Sequence, residues 1–157
     1  MPIPNLTELE YFTRFVYKSD APKLITLYLD GPDSTKYDAM QTSLRSILSD
    51  TALTDKVNLV AGKVPRIVIT NVDADVIFDS SVDSSGNTHT LATAKTINSS
   101  NHFSRMAIAK AMQSNAGIGN QVKLSGTTGN KEIRQSTRLG KSNDEIIGVI
   151  SVSIVVP

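Results

Sequence analysis

The apolar positions of this chain change period near residue 65. Before that point they recur every three to four residues, as on one face of a helix; after it they form β-branched runs or alternate with polar residues, as in strands. Thr7-Glu8-Leu9-Glu10 reads as a capping box, and Leu6, Leu9, Phe12, Phe15 and Val16 predict a first helix ending near Ser19-Asp20. Asp20-Ala21-Pro22 restarts a short helix, with proline tolerated in its first turn, and Gly31-Pro32 stops it. Asp33 or Ser34 caps a third helix, whose Tyr37, Met40, Leu44, Ile47 and Leu48 share one stripe. Thr51 to Lys63 reads as a partly helical connection closed by Gly62 and Pro65.

The strand-like half opens with Arg66–Asn71, turns at Val72-Asp73-Ala74-Asp75 and returns as Val76–Ser80. Residues 81–100 are nearly all Ser, Thr, Asn, Asp, Gly and Ala, and are expected to form a loop. Asn101 is a candidate N-cap for a covering helix through Met112. Three strands follow, Gln121–Ser125, Lys131–Leu139 and Glu145–Val156, with hairpin turns between them. The last strand is too apolar to lie safely at an edge, so it is expected to pair on both sides. The prediction is an α+β fold in one domain over 1–157. Helices fill 1–64, and 65–157 forms a five-stranded antiparallel sheet with a loop-helix cover.

Composition narrows the functional classes. At 157 residues the chain can bury roughly 70% of its unfolded surface, enough for its own core. With no cysteine, disulfides, thiol nucleophiles and thiolate metal sites are excluded. MPIPNLTELEYF has no basic n-region and no apolar h-region, and no apolar run spans a bilayer, so neither a signal peptide nor a membrane segment is expected. The net charge of +1 conceals a split: residues 1–83 carry 8 bases and 12 acids, residues 84–143 carry 8 bases and one acid, Glu132. Such polarity can orient a molecule against a partner.

Few motifs carry chemistry. Asp73, Asp75, Asp79 and Asp83 miss the calcium-loop register, since Phe78 falls where glycine is needed, so they are read as turn carboxylates. His89 and His102 lie in different segments without an acid at ligand spacing, so no metal or cofactor is expected. No catalytic residue set is found. All eight aromatics lie at or before Phe103, which denies the later strands a base-stacking platform and argues against nucleic acid as a partner. Arg105, Arg134 and Arg138 suit anion recognition, because a guanidinium fork matches a carboxylate.

Phe78-Asp79-Ser80, Asn101-His102-Phe103-Ser104-Arg105, Gly117 to Gly119, and Arg138-Leu139 leading to Gly148-Val149 together resemble the PAS-like, single-Cache sensor fold. The resemblance implies a sheet with the hairpin and C-terminal strands near its middle. It also implies a pocket between sheet and loop-helix cover, with a carboxylate or other polar ligand near Phe78, Phe103, Arg105 and Arg134. The alternative use of the same segment is a clasp, in which Asn101, His102 and Arg105 tie the loop to the sheet. Sensors of this type sit between membrane helices and feed an output domain, and neither pattern occurs here. The Ser/Thr/Asn/Val-rich, Cys-free texture also resembles small structural proteins of large DNA viruses. The expectation is a non-enzymatic structural or interaction protein, a minor capsid component partnered by other protein subunits, in the virion or the cytoplasm. A ligand-binding sensor module is the alternative.

Overall fold

The computed structural model describes residues 5–73, 75–82, 85–97, 118–124, 131–142 and 145–157. Four helices come first: α1 (Leu6–Lys18), α2 (Ala21–Asp30), α3 (Ser34–Leu48) and α4 (Thr51–Val57). The predicted stripes are buried as Leu9, Phe12 and Val16 of α1 and Tyr37, Met40, Leu44 and Ile47 of α3. Each such side chain contributes about 1.5–3 kcal/mol of burial, which is what holds short helices like these in place. Asp33 caps α3, its Oδ1 accepting the Lys36 N–H at 2.8 Å. Asp50 caps α4 through the Ala52 and Leu53 N–H groups at 2.9 and 3.3 Å.

The start of α1 differs from expectation. The helix begins at Leu6 behind Asn5, whose φ of 56° is left-handed and whose side chain makes no cap. Thr7 is therefore inside the first turn, and the expected capping box does not form. Leu6 is half-buried against the core.

The remaining elements are β1 (Arg66–Asn71), β2 (Val76–Asp79), α5 (Leu91–Ile97), β3 (Ile118–Leu124), β4 (Lys131–Ser142) and β5 (Glu145–Val156). The strands form an open antiparallel sheet in the order β2-β1-β5-β4-β3. The apolar last strand lies between β1 and β4, where both its edges are paired. Asn71 shapes the β1–β2 turn, its Oδ1 accepting the N–H groups of Asp73 and Asp75 at 3.0 Å each.

Strand alternation gives the sheet two different faces. Ile67, Ile69, Phe78, Ile133, Ile150, Val152 and Ile154 join Leu9, Phe12, Met40 and Leu44 in one apolar core beneath the helices. Tyr17 fastens α1 to the sheet by donating its hydroxyl to the Arg138 carbonyl at 3.0 Å. Gly148 sits where an added Cβ would lie 2.6 Å from the Thr70 carbonyl oxygen, so the β1–β5 contact requires glycine there.

Three strand-half expectations need correction. Residues 91–97, read as loop, form α5, because Thr90 and Thr93 cap it reciprocally: Thr93 Oγ1 accepts the Thr90 N–H at 2.8 Å, and Thr90 Oγ1 the Thr93 N–H at 3.3 Å. Ala94 is buried and packs with Val68 and Val76 on the second face. Strand β3 begins at Ile118 rather than Gln121, and β4 runs through Gly140 to Ser142 with irregular pairing at Gly140 instead of turning there. The covering helix expected from Asn101 lies outside the described residues.

Candidate functional site

The second face of the sheet carries the described charged cluster. Register sets Arg66, Ser153, Arg134 and Gln121 in one row across β1, β5, β4 and β3. The next row holds Asp79, Val68, Ser151 and Ser136. Arg66 opens β1 and Asp79 closes β2, so folding the hairpin brings a base and an acid to the same end. The Arg66 guanidinium grips the carboxylate with two N–H groups, Nε reaching Oδ1 at 2.9 Å and Nη2 reaching Oδ2. Asp79 also accepts the Ser81 N–H at 2.9 Å. Beside this pair the hydroxyls of Ser136 and Ser151 bond to one another at 2.7 Å.

Asp79, Arg134 and Ser151 are almost inaccessible, at 1%, 5% and 4% exposed, whereas the Arg66 side chain is 24% exposed. Burial by itself would raise the Asp79 carboxyl, but the hydrogen bonds and charge of Arg66, with Ser81, outweigh it and hold the group below the ordinary carboxylate value. Burial likewise works against a charged Arg66, and Asp79 more than offsets it, raising that guanidinium further. Arg134 is pushed down to about 10, first by burial and then by the neighbouring Arg66, against the pull of Glu132 and Asp79. All three groups are thus ionised at neutral pH.

Chemically this is an internal layer of two guanidiniums and one carboxylate, with Glu132 near its rim. The carboxylate is committed to a bidentate base and is far from the protonation range a general acid needs at neutral pH. The paired serines face one another rather than a base, and His89 sits elsewhere, with Nδ1 3.3 Å from Thr93 Oγ1. Among the described residues no three His, Cys, Asp or Glu side chains are grouped as metal ligands. A small cavity of about 210 Å³ touches the cluster's rim at Arg66, Ser81, Glu132 and Ser153.

The structure separates two of the residues expected to share a ligand. Phe78 is fully buried on the helix-facing side, where the Arg45 guanidinium lies 5.2 Å over its ring. Its row continues through Ile69 and Ile150 to Thr137, whereas Arg134 belongs to the row of Ser153 and Arg66. Alternation therefore puts Phe78 and Arg134 on opposite faces, and they cannot line one pocket. Phe103 and Arg105, like Asn101 and His102 of the expected clasp, lie outside the described residues.

The sequence reading missed the Arg66–Asp79 pair. Asp79 is not a turn carboxylate like Asp73 and Asp75 but a buried strand residue with an ion-pair partner. Counting outward from the turn places Arg66 and Asp79 near each other at the hairpin's open end, and that was the available signal. No protein-family model matches the chain, and no curated protein is significantly similar to it. Among the described residues no helix is long and apolar enough to cross a membrane.

Proposed function

We propose that the chain is a non-enzymatic structural or interaction protein built on a PAS/Cache-like, five-stranded scaffold, and that it serves as a minor capsid component of a large DNA virus. The scaffold reading is supported by the central place of the C-terminal β5 beside β1, whereas β2, the other hairpin strand, lies at the edge instead of near the middle as the resemblance implies. The observation that carries the functional reading is the burial of the second face. A sensor of this type would keep a cavity there. Here Arg134, Ser136, Ser151 and Ser153 are 0–6% exposed, so this face is closed to solvent. A closed layer with a bidentate ion pair and bonded hydroxyls is suited to holding a shape. The virion assignment rests on the Cys-free, Ser/Thr/Asn/Val-rich composition and the charge split along the chain.

The test is fractionation: the chain should travel with large particles and show no thermal shift in a panel of small carboxylates and amines. The second reading, a carboxylate sensor, is favoured by one observation, the row that sets Arg66 and Arg134 on the same face. A micromolar ligand for the isolated monomer, lost on Arg134→Met, would establish it and overturn the first.

A further inference from the structure

A cavity of about 600 Å³ opens where two distant parts of the chain meet: residues 28–41, from α2 into α3, and residues 88–91, at the start of α5. Small-molecule sites typically fall between about 300 and about 1,000 Å³. Tyr28, Pro32, Tyr37 and Leu91 supply its apolar lining, and the two tyrosine rings meet edge to face with centroids 5.4 Å apart. Tyr37 is 8% exposed, and its buried hydroxyl has no hydrogen-bond partner among the described residues. A buried polar group of this kind gains from whatever supplies the missing partner. Neither Arg66 nor Asp79 lines this cavity, so it is separate from the cluster on the sheet.

The polar lining narrows the ligand class. Among the described residues around the cavity there is no lysine or arginine, while Asp33 and Asp38 both line it, which disfavours an anion. Asp33 is committed to its own helix, Oδ1 accepting the Lys36 N–H at 2.8 Å and Oδ2 lying 3.7 Å from Lys36 Nζ. Asp38 Oδ1 accepts a bond from Gln41 Nε2 at 3.1 Å, so carboxylate and carboxamide hold one another in place and each keeps bonding capacity. Ser34, Thr88, Thr90 and His89 complete the rim. Hydroxyls, a carboxamide and an imidazole can each donate and accept, and a ligand whose own groups do both matches them. We propose that the cavity binds a neutral saccharide. The C–H-bearing face of a sugar ring packs on the tyrosine, proline and leucine lining, and one of its hydroxyls partners Tyr37. Others donate to Asp38 and exchange bonds with Gln41 and His89. Bonds to an ionised acceptor are the stronger ones, so Asp38 carries most of the polar recognition.

Amide NMR titration of the full chain with lactose, maltose and di-N-acetylchitobiose tests the assignment. The expected result is saturable shifts centred on residues 28–41 and 88–91, with a Kd of about 1 mM or tighter for at least one of the three sugars. Asp38→Asn, at an exposed position, keeps an acceptor for Gln41 and should weaken binding roughly tenfold or more. Tyr37→Phe should weaken it about fivefold while leaving the fold intact. No saturable shift with any of the three sugars at about 10 mM overturns the proposal. So does binding that maps elsewhere, or that either variant leaves unchanged. The site asks nothing of the assembly reading: each of these results leaves the fractionation of the chain with particles unaltered, so the two can fail separately.

Discussion

Replacing Arg66 by alanine should uncover how much the buried charge layer depends on pairing. Exposed ion pairs contribute about 0–1 kcal/mol, whereas removing one partner of a buried pair costs about 3–5 kcal/mol. The Asp79 side chain is 0% exposed and that of Arg66 24%, so the group left behind in Arg66→Ala is the fully buried one. The Ser81 N–H remains as a donor and places the expected loss near the lower end, about 3 kcal/mol. Asp79→Asn leaves the partly exposed Arg66 instead, beside the small rim cavity, and should cost less, about 1–2 kcal/mol.

The pH dependence follows from the direction of the Asp79 shift. Its folded pKa lies below the unfolded value of about 3.9, so its contribution is present above that value and lost as pH falls through the folded pKa. In Arg66→Ala burial dominates and raises the folded pKa, so that variant is relatively stabilised at low pH and weakened as pH rises. The stability gap between the two proteins should therefore narrow from about pH 7 to about pH 4. Urea unfolding followed by far-ultraviolet circular dichroism at both pH values measures it. A gap under about 1 kcal/mol at neutral pH, or one that does not change with pH, would refute the reasoning.

Gly148→Ala should destabilise by about 1–3 kcal/mol, because its methyl would meet the Thr70 carbonyl at 2.6 Å and Leu29 Cδ1 at 3.0 Å; an unchanged Tm would show that β1 and β5 can part freely. Tyr37→Phe removes a buried hydroxyl that has no hydrogen-bond partner among the described residues and should be neutral or stabilising by up to about 1 kcal/mol in urea unfolding. Arg45→Met removes the cation above Phe78 at a cost of about 0.5–1 kcal/mol, against about 3–5 kcal/mol for Phe78→Ala; equal losses in a thermal melt would contradict the burial assigned to Phe78.

The helical half was legible because burial there is periodic: Leu9, Phe12 and Val16, or Met40, Leu44 and Ile47, recur at the spacing of one helix face. The central place of β5 was legible too, since Ile150, Val152 and Ile154 alternate with Val149, Ser151 and Ser153, and both sets are buried. The helix α5 was not, because Thr90-Leu91-Ala92-Thr93-Ala94 offers polar residues that suit a loop equally well, and its helix depends on a reciprocal Thr90–Thr93 cap and the fit of Ala94 to Val68 and Val76. The relation between Phe78 and Arg134 was hidden for a different reason. Which face a residue takes depends on register across β2, β1, β5 and β4, and a one-residue change in that register would reverse it.

The central claim, that this fold serves as a part of an assembly, meets its most direct test in quantitative mass spectrometry of particles purified from cells that make the chain. The account predicts the chain in the particle fraction, at a fixed ratio to the other subunits through successive purification steps. Recovery of the chain only as a free monomer carrying a small polar ligand would contradict it.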